Sequence, residues 1–159
     1  MKEKRINEIK GVILIAVSII ILASLISFTP YDLSFYTTHP NIPPKNLIRT
    51  FGAYFAGALL FLFGWASYLI PGLLAWLAIR IFRNESPSLR LPRVLGMLVF
   101  LISASVLMGV FFAGQEALRF SRAGFLGAVI ARLVVSNFGR LGGYILFLTL
   151  IVLSVALVT

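Results

Sequence analysis

Five carboxylates (Glu3, Glu8, Asp32, Glu85 and Glu116), one histidine (His39) and no cysteine are all that this 159-residue chain offers for acid–base, nucleophilic or metal chemistry. The acids lie at chain ends or between apolar runs, and no two form a catalytic pair. His39 has no cysteine or acidic cluster beside it, so it reads as a solvated loop residue rather than a metal ligand. Ser18, Ser67, Ser103 and Ser154 lack a histidine or lysine base nearby and are expected to bond to their own helix backbone. No HExxH, GxSxG or Cys/His cluster occurs, and no lysine follows a glycine, so a phosphate-binding P-loop is missing. The chain is therefore expected to be no enzyme and to hold no cofactor and no metal. Trp65, Trp76, Tyr31, Tyr54 and Tyr68 read as interfacial anchors or lipid-facing bulk, with Trp76 placed close to Arg80.

The elements that would hold these residues are membrane helices. The chain is 60% hydrophobic and 12% charged, with a mean hydropathy of +1.01, where soluble domains average about 45–50% apolar and about 25% charged. The net charge of +9 is gathered in short clusters beside apolar runs. That is how topology signals are distributed, so no direct nucleic-acid contact is expected and the lipid bilayer is the partner.

The fold class expected is all-α: a polytopic helical bundle forming one membrane domain over 1–159. Its four spans fall at about 11–28, 51–79, 94–113 and 141–159, with a short interfacial or re-entrant helix at about 124–137. The second run is uncharged from Phe51 to Ile79. As one helix it would be roughly 44 Å long against a core of about 30 Å, so it must tilt, kink at Pro71 or project past the interface. On a helical projection Ala53, Gly57, Gly64, Ser67, Pro71, Ala75 and Ala78 share one face and should pack on protein, while Phe55, Leu62, Leu69, Leu73 and Trp76 face lipid.

Before that run, Lys2, Lys4, Arg5 and Lys10 precede an apolar stretch too long for a signal peptide, which reads as an anchor helix. Pro30 ends it, and the segment to Lys45 is a proline-rich loop. After it, Arg80, Arg83, Arg90 and Arg93 mark a turn between antiparallel spans. Gly114–Asn137 starts polar, with Glu116 and Arg119 spaced for an ion pair, and then becomes apolar around Arg132. About fourteen residues are too few to cross a bilayer, although a fifth span is the rival reading. No long-period repeat is visible. The sequence stops within the last apolar run, as a domain cut from a longer chain would. With the N-terminus inside, eight basic residues lie inside and six outside, a small bias.

Several stretches carry a family resemblance. Asn46-Leu-x-x-x-x-Gly52-Ala-Tyr-x-Ala, then Phe63-Gly64-x-x-x-Tyr68-x-x-Pro71, resembles the second span of the four-helix membrane domain of FtsK/SpoIIIE-type DNA translocases. Ser27-Phe28-Thr29-Pro30-Tyr31-Asp32 resembles the turn after that family's first span. Gly124-x-x-Gly127 and Phe138-Gly139-x-x-Gly142-Gly143 resemble the glycine signatures before its last. Arg49 stands where the family often has glycine, and Gly57 where it often has an acid.

The resemblance implies a non-catalytic anchor and assembly domain of a translocase coupling division to chromosome segregation, in the bacterial inner membrane at the septum, with both termini cytoplasmic. It also implies a homo-oligomer, a hexamer, that meets division-site membrane proteins through loop residues Tyr31, Asp32, Arg119 and Arg122. The alternative is a small four-helix transporter or channel subunit, which would need a polar group or a broken helix at mid-membrane; Pro71-Gly72 is the only break the sequence suggests.

Overall fold

The computed structural model describes residues 2–83 and 91–158, all-helical apart from turns and loops. Helices α1 (Lys2–Ile26), α2 (Arg49–Phe63), α3 (Leu69–Phe82), α4 (Leu91–Phe111) and α5 (Glu116–Val158) follow in order, with 3₁₀ turns at Pro30–Asp32 and Gly64–Tyr68. Four helical stretches are long and apolar enough to cross a bilayer: Lys4–Ile26, Arg49–Phe82, Leu91–Phe111 and Glu116–Val158. The protein is an all-α membrane bundle. The middle of the arginine-rich turn, 84–90, and Thr159 lie outside the described residues. The residues group into two compact units, Met1–Ala58 with Tyr68–Ser88, and Leu59–Ser67 with Leu89–Thr159.

In the first unit α1 and α3 run antiparallel. A Cβ on Gly11 would come within 2.8 Å of the Phe82 ring, and Ser18 Oγ donates to the Pro71 carbonyl at 2.8 Å. Ser18 thus bonds across to a second helix, not to its own backbone as its sequence context suggests. At the other end Tyr68 Oη donates to the Leu25 carbonyl at 3.2 Å. Leu25, Leu77, Ala78 and Ile81 are buried. Pro71 sits in the first turn of α3, where a missing N–H costs no helical bond.

The expected single 51–79 helix is broken at Gly64, seven residues before Pro71. Gly64 has φ +57°, and beyond it Ser67 Oγ donates to the Leu59 carbonyl at 2.7 Å. In an unbroken helix those residues would be about 12 Å apart, so the chain turns sharply there. The small-residue face is consequently two faces, one on α2 and one on α3.

The second unit is built on α4. The α5 stretch is interrupted at Gly124 (φ 69°, ψ −178°) and Gly139 (φ 72°, ψ 176°), whose backbone is non-helical and in a region open essentially to glycine alone. Glu116 and Arg132 form an ion pair at 2.9 Å across the first, and a Cβ on Gly143 would lie 3.4 Å from Val134 across the second. A straight helix would separate these pairs by about 24 Å and about 13 Å along its axis. α5 is therefore three arms, 116–123, 125–138 and 140–158, folded back on one another. The third arm runs antiparallel to α4: Arg93 Nε donates to the Val158 carbonyl at 3.2 Å, and Gly96 lies against Val158 and Leu157. The middle arm packs on α4 through Gly127 and Ala131, and Val106, Val110, Ala131 and Phe147 form the core.

These turns expose a repeat. The described residues with positive φ are Arg49, Gly64, Gly124 and Gly139. They bracket two short helices whose limits, 49 to 64 and 124 to 139, are offset by 75 residues. Gly52, Ala53 and Ala56 are buried in the first, and Gly127, Ala128 and Ala131 at the same offset in the second. Each small face meets a serine of the preceding long helix, Ser24 or Ser105, and each short helix ends in Phe-Gly. The chain thus contains two copies of long helix, short turned-back helix and long helix. The sequence shows no visible long-period repeat because the copies share backbone turns and small residues, too few side chains to align by eye.

Candidate functional site

The loop after α1 is fastened by one carboxylate. Pro30 starts a 3₁₀ turn that brings Asp32 back under the loop. There Asp32 Oδ1 accepts from Asn41 Nδ2 at 2.8 Å and the Lys45 N–H at 3.0 Å, and Oδ2 accepts from the Asn46 N–H at 2.8 Å. Asn46 carries the link onward: its Nδ2 donates to the Ser24 carbonyl at 2.8 Å, and its Oδ1 accepts from the Ile48 N–H at 3.0 Å. Ser27 Oγ accepts from the Leu47 N–H at 2.9 Å. A Cβ on Gly52 would collide with Asn46 Oδ1, so the loop closes only over a bare backbone at that position. Burial works to raise the Asp32 pKa. The donors from Lys45, Asn41 and Asn46, with the charge of Lys45, outweigh it and hold the pKa below its ordinary value of 3.8.

The expected packing residues divide as the backbone does. Ala53, Gly64, Ser67 and Pro71 are buried, whereas Gly57 and Ala75 are half-buried. Gly57 faces Phe28 and Leu33, and a Cβ added there would lie 3.0 Å from Leu33 Cδ1. A Cβ on Gly64 would collide with the Arg122 carbonyl and approach the Gly124 nitrogen, so the two left-handed glycines meet backbone to backbone. On the opposite face Phe55 and Leu69 are exposed, and Leu62, Leu73 and Trp76 half-buried. Arg80 stacks 5.0 Å over Trp76.

The expected exposed loop set does not hold together. Tyr31 is exposed, beside an aromatic group in which Phe35 contacts Tyr36 and Tyr54, and Tyr54 Oη shares a 2.8 Å hydrogen bond with Ser34. Asp32 and Arg119 are buried: one is consumed by the loop's N–H groups, the other by its ion pair with Glu116. Arg122 is half-buried over Trp65. Sequence reasoning missed Ser24 and Ser105 as contact points for the short helices. Asn46 gave the one available signal, an amide placed directly before an apolar run. Among the described residues no group of His, Cys, Asp and Glu could hold a metal ion.

Paired antiparallel apolar helices, four of the helical stretches long and apolar enough to cross a bilayer, define a polytopic helical membrane domain. Its relatives place it more closely: the family described as "4TM region of DNA translocase FtsK/SpoIIIE" matches residues 3–159, and the chain belongs to that family. It is 28% identical to the DNA translocase FtsK of Shewanella oneidensis over 134 residues, which cover 80% of this chain and 14% of that protein. It is 29% identical to the DNA translocase FtsK of Vibrio parahaemolyticus, over 92% of this chain and 15% of the relative. It is 28% identical to that of Pseudomonas putida, over 92% of this chain and 19% of the relative. The chain thus spans less than a fifth of these relatives. No solved structure is a significant match.

Proposed function

We propose that this chain is the membrane anchor and assembly domain of a DNA translocase that couples cell division to chromosome segregation. One observation carries the reading: the family match covers nearly the whole chain yet is confined to the membrane region, a small part of each translocase it resembles. On this reading the domain does no chemistry and touches no DNA. It sits in the bacterial inner membrane, gathers at the septum as a homo-oligomer, and keeps both termini in the cytoplasm, where a DNA motor works. The outer loop with Tyr31, Phe35 and Tyr36 exposed is the surface offered to division-site membrane proteins.

The transporter reading gains a broken helix at Gly64, but the backbone of Gly124 fills that break, so it is a packed joint. Expressing residues 1–159 with a cytoplasmic fluorophore in dividing bacteria tests the proposal. Septal enrichment without ATPase activity supports it. Uniform membrane fluorescence with solute flux in liposomes would favour the transporter.

A further inference from the structure

In the second unit, three arginines of the α5 hairpin and its neighbouring turn have partners of their own. Arg119 and Arg132 share Glu116, and Arg140 donates to the Ala113 carbonyl. Arg122 differs. Its Cζ lies 3.5 Å from the Trp65 ring centroid, and among the described residues its side chain has no acceptor and no acid. A guanidinium seated over a ring with no acceptor of its own leaves N–H donors for a ligand, a fork that fits two oxygens of a phosphate.

The surroundings are apolar. Phe61 stacks on Phe125 at 5.7 Å and meets Phe120 edge-on at 5.9 Å. Phe61, Trp65, Phe120 and Phe125 are 53%, 50%, 46% and 43% exposed, so each ring leaves about half its surface to be covered. The next residue ties the site to α4: the Ala123 carbonyl accepts from Ser105 Oγ at 2.6 Å, six residues before α4 ends at Phe111. That is about 9 Å from the end of an apolar helix, and a long arginine extends its stem along apolar surface toward a polar phase. A cation without an anion, next to uncovered aromatic rings, suits a ligand with an anionic head and an apolar tail.

We propose that Arg122 and Trp65, with Phe61, Phe120 and Phe125, form a binding site for an anionic phospholipid. The phosphate docks on the free edge of the guanidinium and an acyl chain covers the rings. The chain has two tryptophans, so Trp76→Phe leaves Trp65 as the sole reporter. The purified protein is reconstituted in phosphatidylcholine vesicles containing a fixed fraction of acyl-brominated phosphatidylglycerol or, in parallel, acyl-brominated phosphatidylcholine. Bromine quenches tryptophan on contact. Local enrichment of the anionic lipid should be about fivefold, the size one basic residue near an anionic surface gives. Arg122→Gln should abolish the preference. Arg122→Lys, which keeps the charge and loses the fork, should retain a smaller one. Arg49→Gln should leave it intact. Equal quenching by both lipids in the Trp76→Phe protein would overturn the site. If inorganic phosphate at millimolar concentration erases the preference, the site takes free phosphate and the lipid assignment is overturned.

Discussion

Glu116 and Arg132 are sixteen residues apart in the α5 stretch, yet their side chains meet at 2.9 Å. The meeting is geometrically possible only because Gly124, midway between them, reverses the chain. Both groups are largely exposed, so water screens the pair, which records the hairpin without creating it. What creates it is a φ that glycine adopts freely and other residues do not.

The hairpin can be trapped directly, because the chain has no cysteine. Glu116→Cys with Arg132→Cys should be joined within one molecule by a short bifunctional methanethiosulfonate cross-linker that spans the reach of the two native side chains, shown by a mobility shift reversed by reductant. A continuous helix would hold the two about 24 Å apart, far beyond bridging range. An unbridged double variant that is otherwise folded would refute the reversal.

The left-handed glycines should not be equal in cost. Gly64→Ala and Gly124→Ala each put a Cβ into opposing backbone and add about 1–2 kcal/mol of left-handed strain. At Gly139 the strain remains but no heavy atom lies within 4 Å of the added carbon. Gly72→Ala meets open space at an ordinary helical φ, and should be neutral or slightly stabilising. Thermal unfolding in detergent should therefore rank Gly64→Ala and Gly124→Ala lowest, Gly139→Ala next and Gly72→Ala at or above the parent. Equal losses at Gly124 and Gly139 would show that the backbone contact contributes nothing.

Arg49 supplies a converse test. Its φ of 56° is the left-handed value found at the other three turn positions, without their glycine. Arg49→Gly relieves strain of about 1–2 kcal/mol while losing about 0.5–1 kcal/mol to unfolded-state freedom. The net change should be neutral to stabilising. Arg49→Val, branched at Cβ, should melt clearly below the parent, and a Val variant as stable as the Gly variant would contradict the strained φ.

The Asp32 fastening fixes a pH dependence. Its folded pKa lies below the unfolded 3.8, so the stability it adds is fully present above 3.8 and is lost as pH falls through the lower folded value. Asp32→Asn should remove that acid-dependent part. Asp32→Ala should cost roughly 2–3 kcal/mol at neutral pH, because a charged acceptor of three hydrogen bonds disappears and the buried Asn46 N–H loses its partner. Limited proteolysis of the 33–45 loop between pH 3 and pH 7 reads this. A loop equally protected in the parent and in Asp32→Ala would contradict the role.

Much of the architecture was legible in the sequence because bilayer thickness makes span length a direct signal: apolar runs around 11–28 and 94–113 match α1 and α4 to within a few residues at their apolar ends. The Glu116–Arg119 pair followed from spacing alone. The turn at Gly64 was not legible. Pro71 looked like the breaker because proline announces its constraint, whereas a glycine inside an apolar run looks like any small packing residue until its φ is known. Asp32 and Arg119 looked exposed because loops usually are, and only the three-dimensional meeting of Asp32 with Asn41, Lys45 and Asn46 shows that a charge can serve as a loop's internal fastening. The 75-residue repeat stayed hidden for the same reason, being written in backbone angles.

The anchor role depends most directly on how many times the chain crosses the membrane. If the short helices 49–63 and 125–138 turn back instead of crossing, four crossings remain and both ends lie on one side. The decisive measurement fuses a reporter after Val158, fluorescent protein in one strain and periplasmic alkaline phosphatase in another, each paired with the same reporters at the N-terminus. Fluorescence without phosphatase activity at both ends is the expected result, with the C-terminus placed to carry a cytoplasmic motor. An active phosphatase after Val158 with a fluorescent N-terminus would mean an odd number of crossings and would contradict both the turned-back helices and the anchor role.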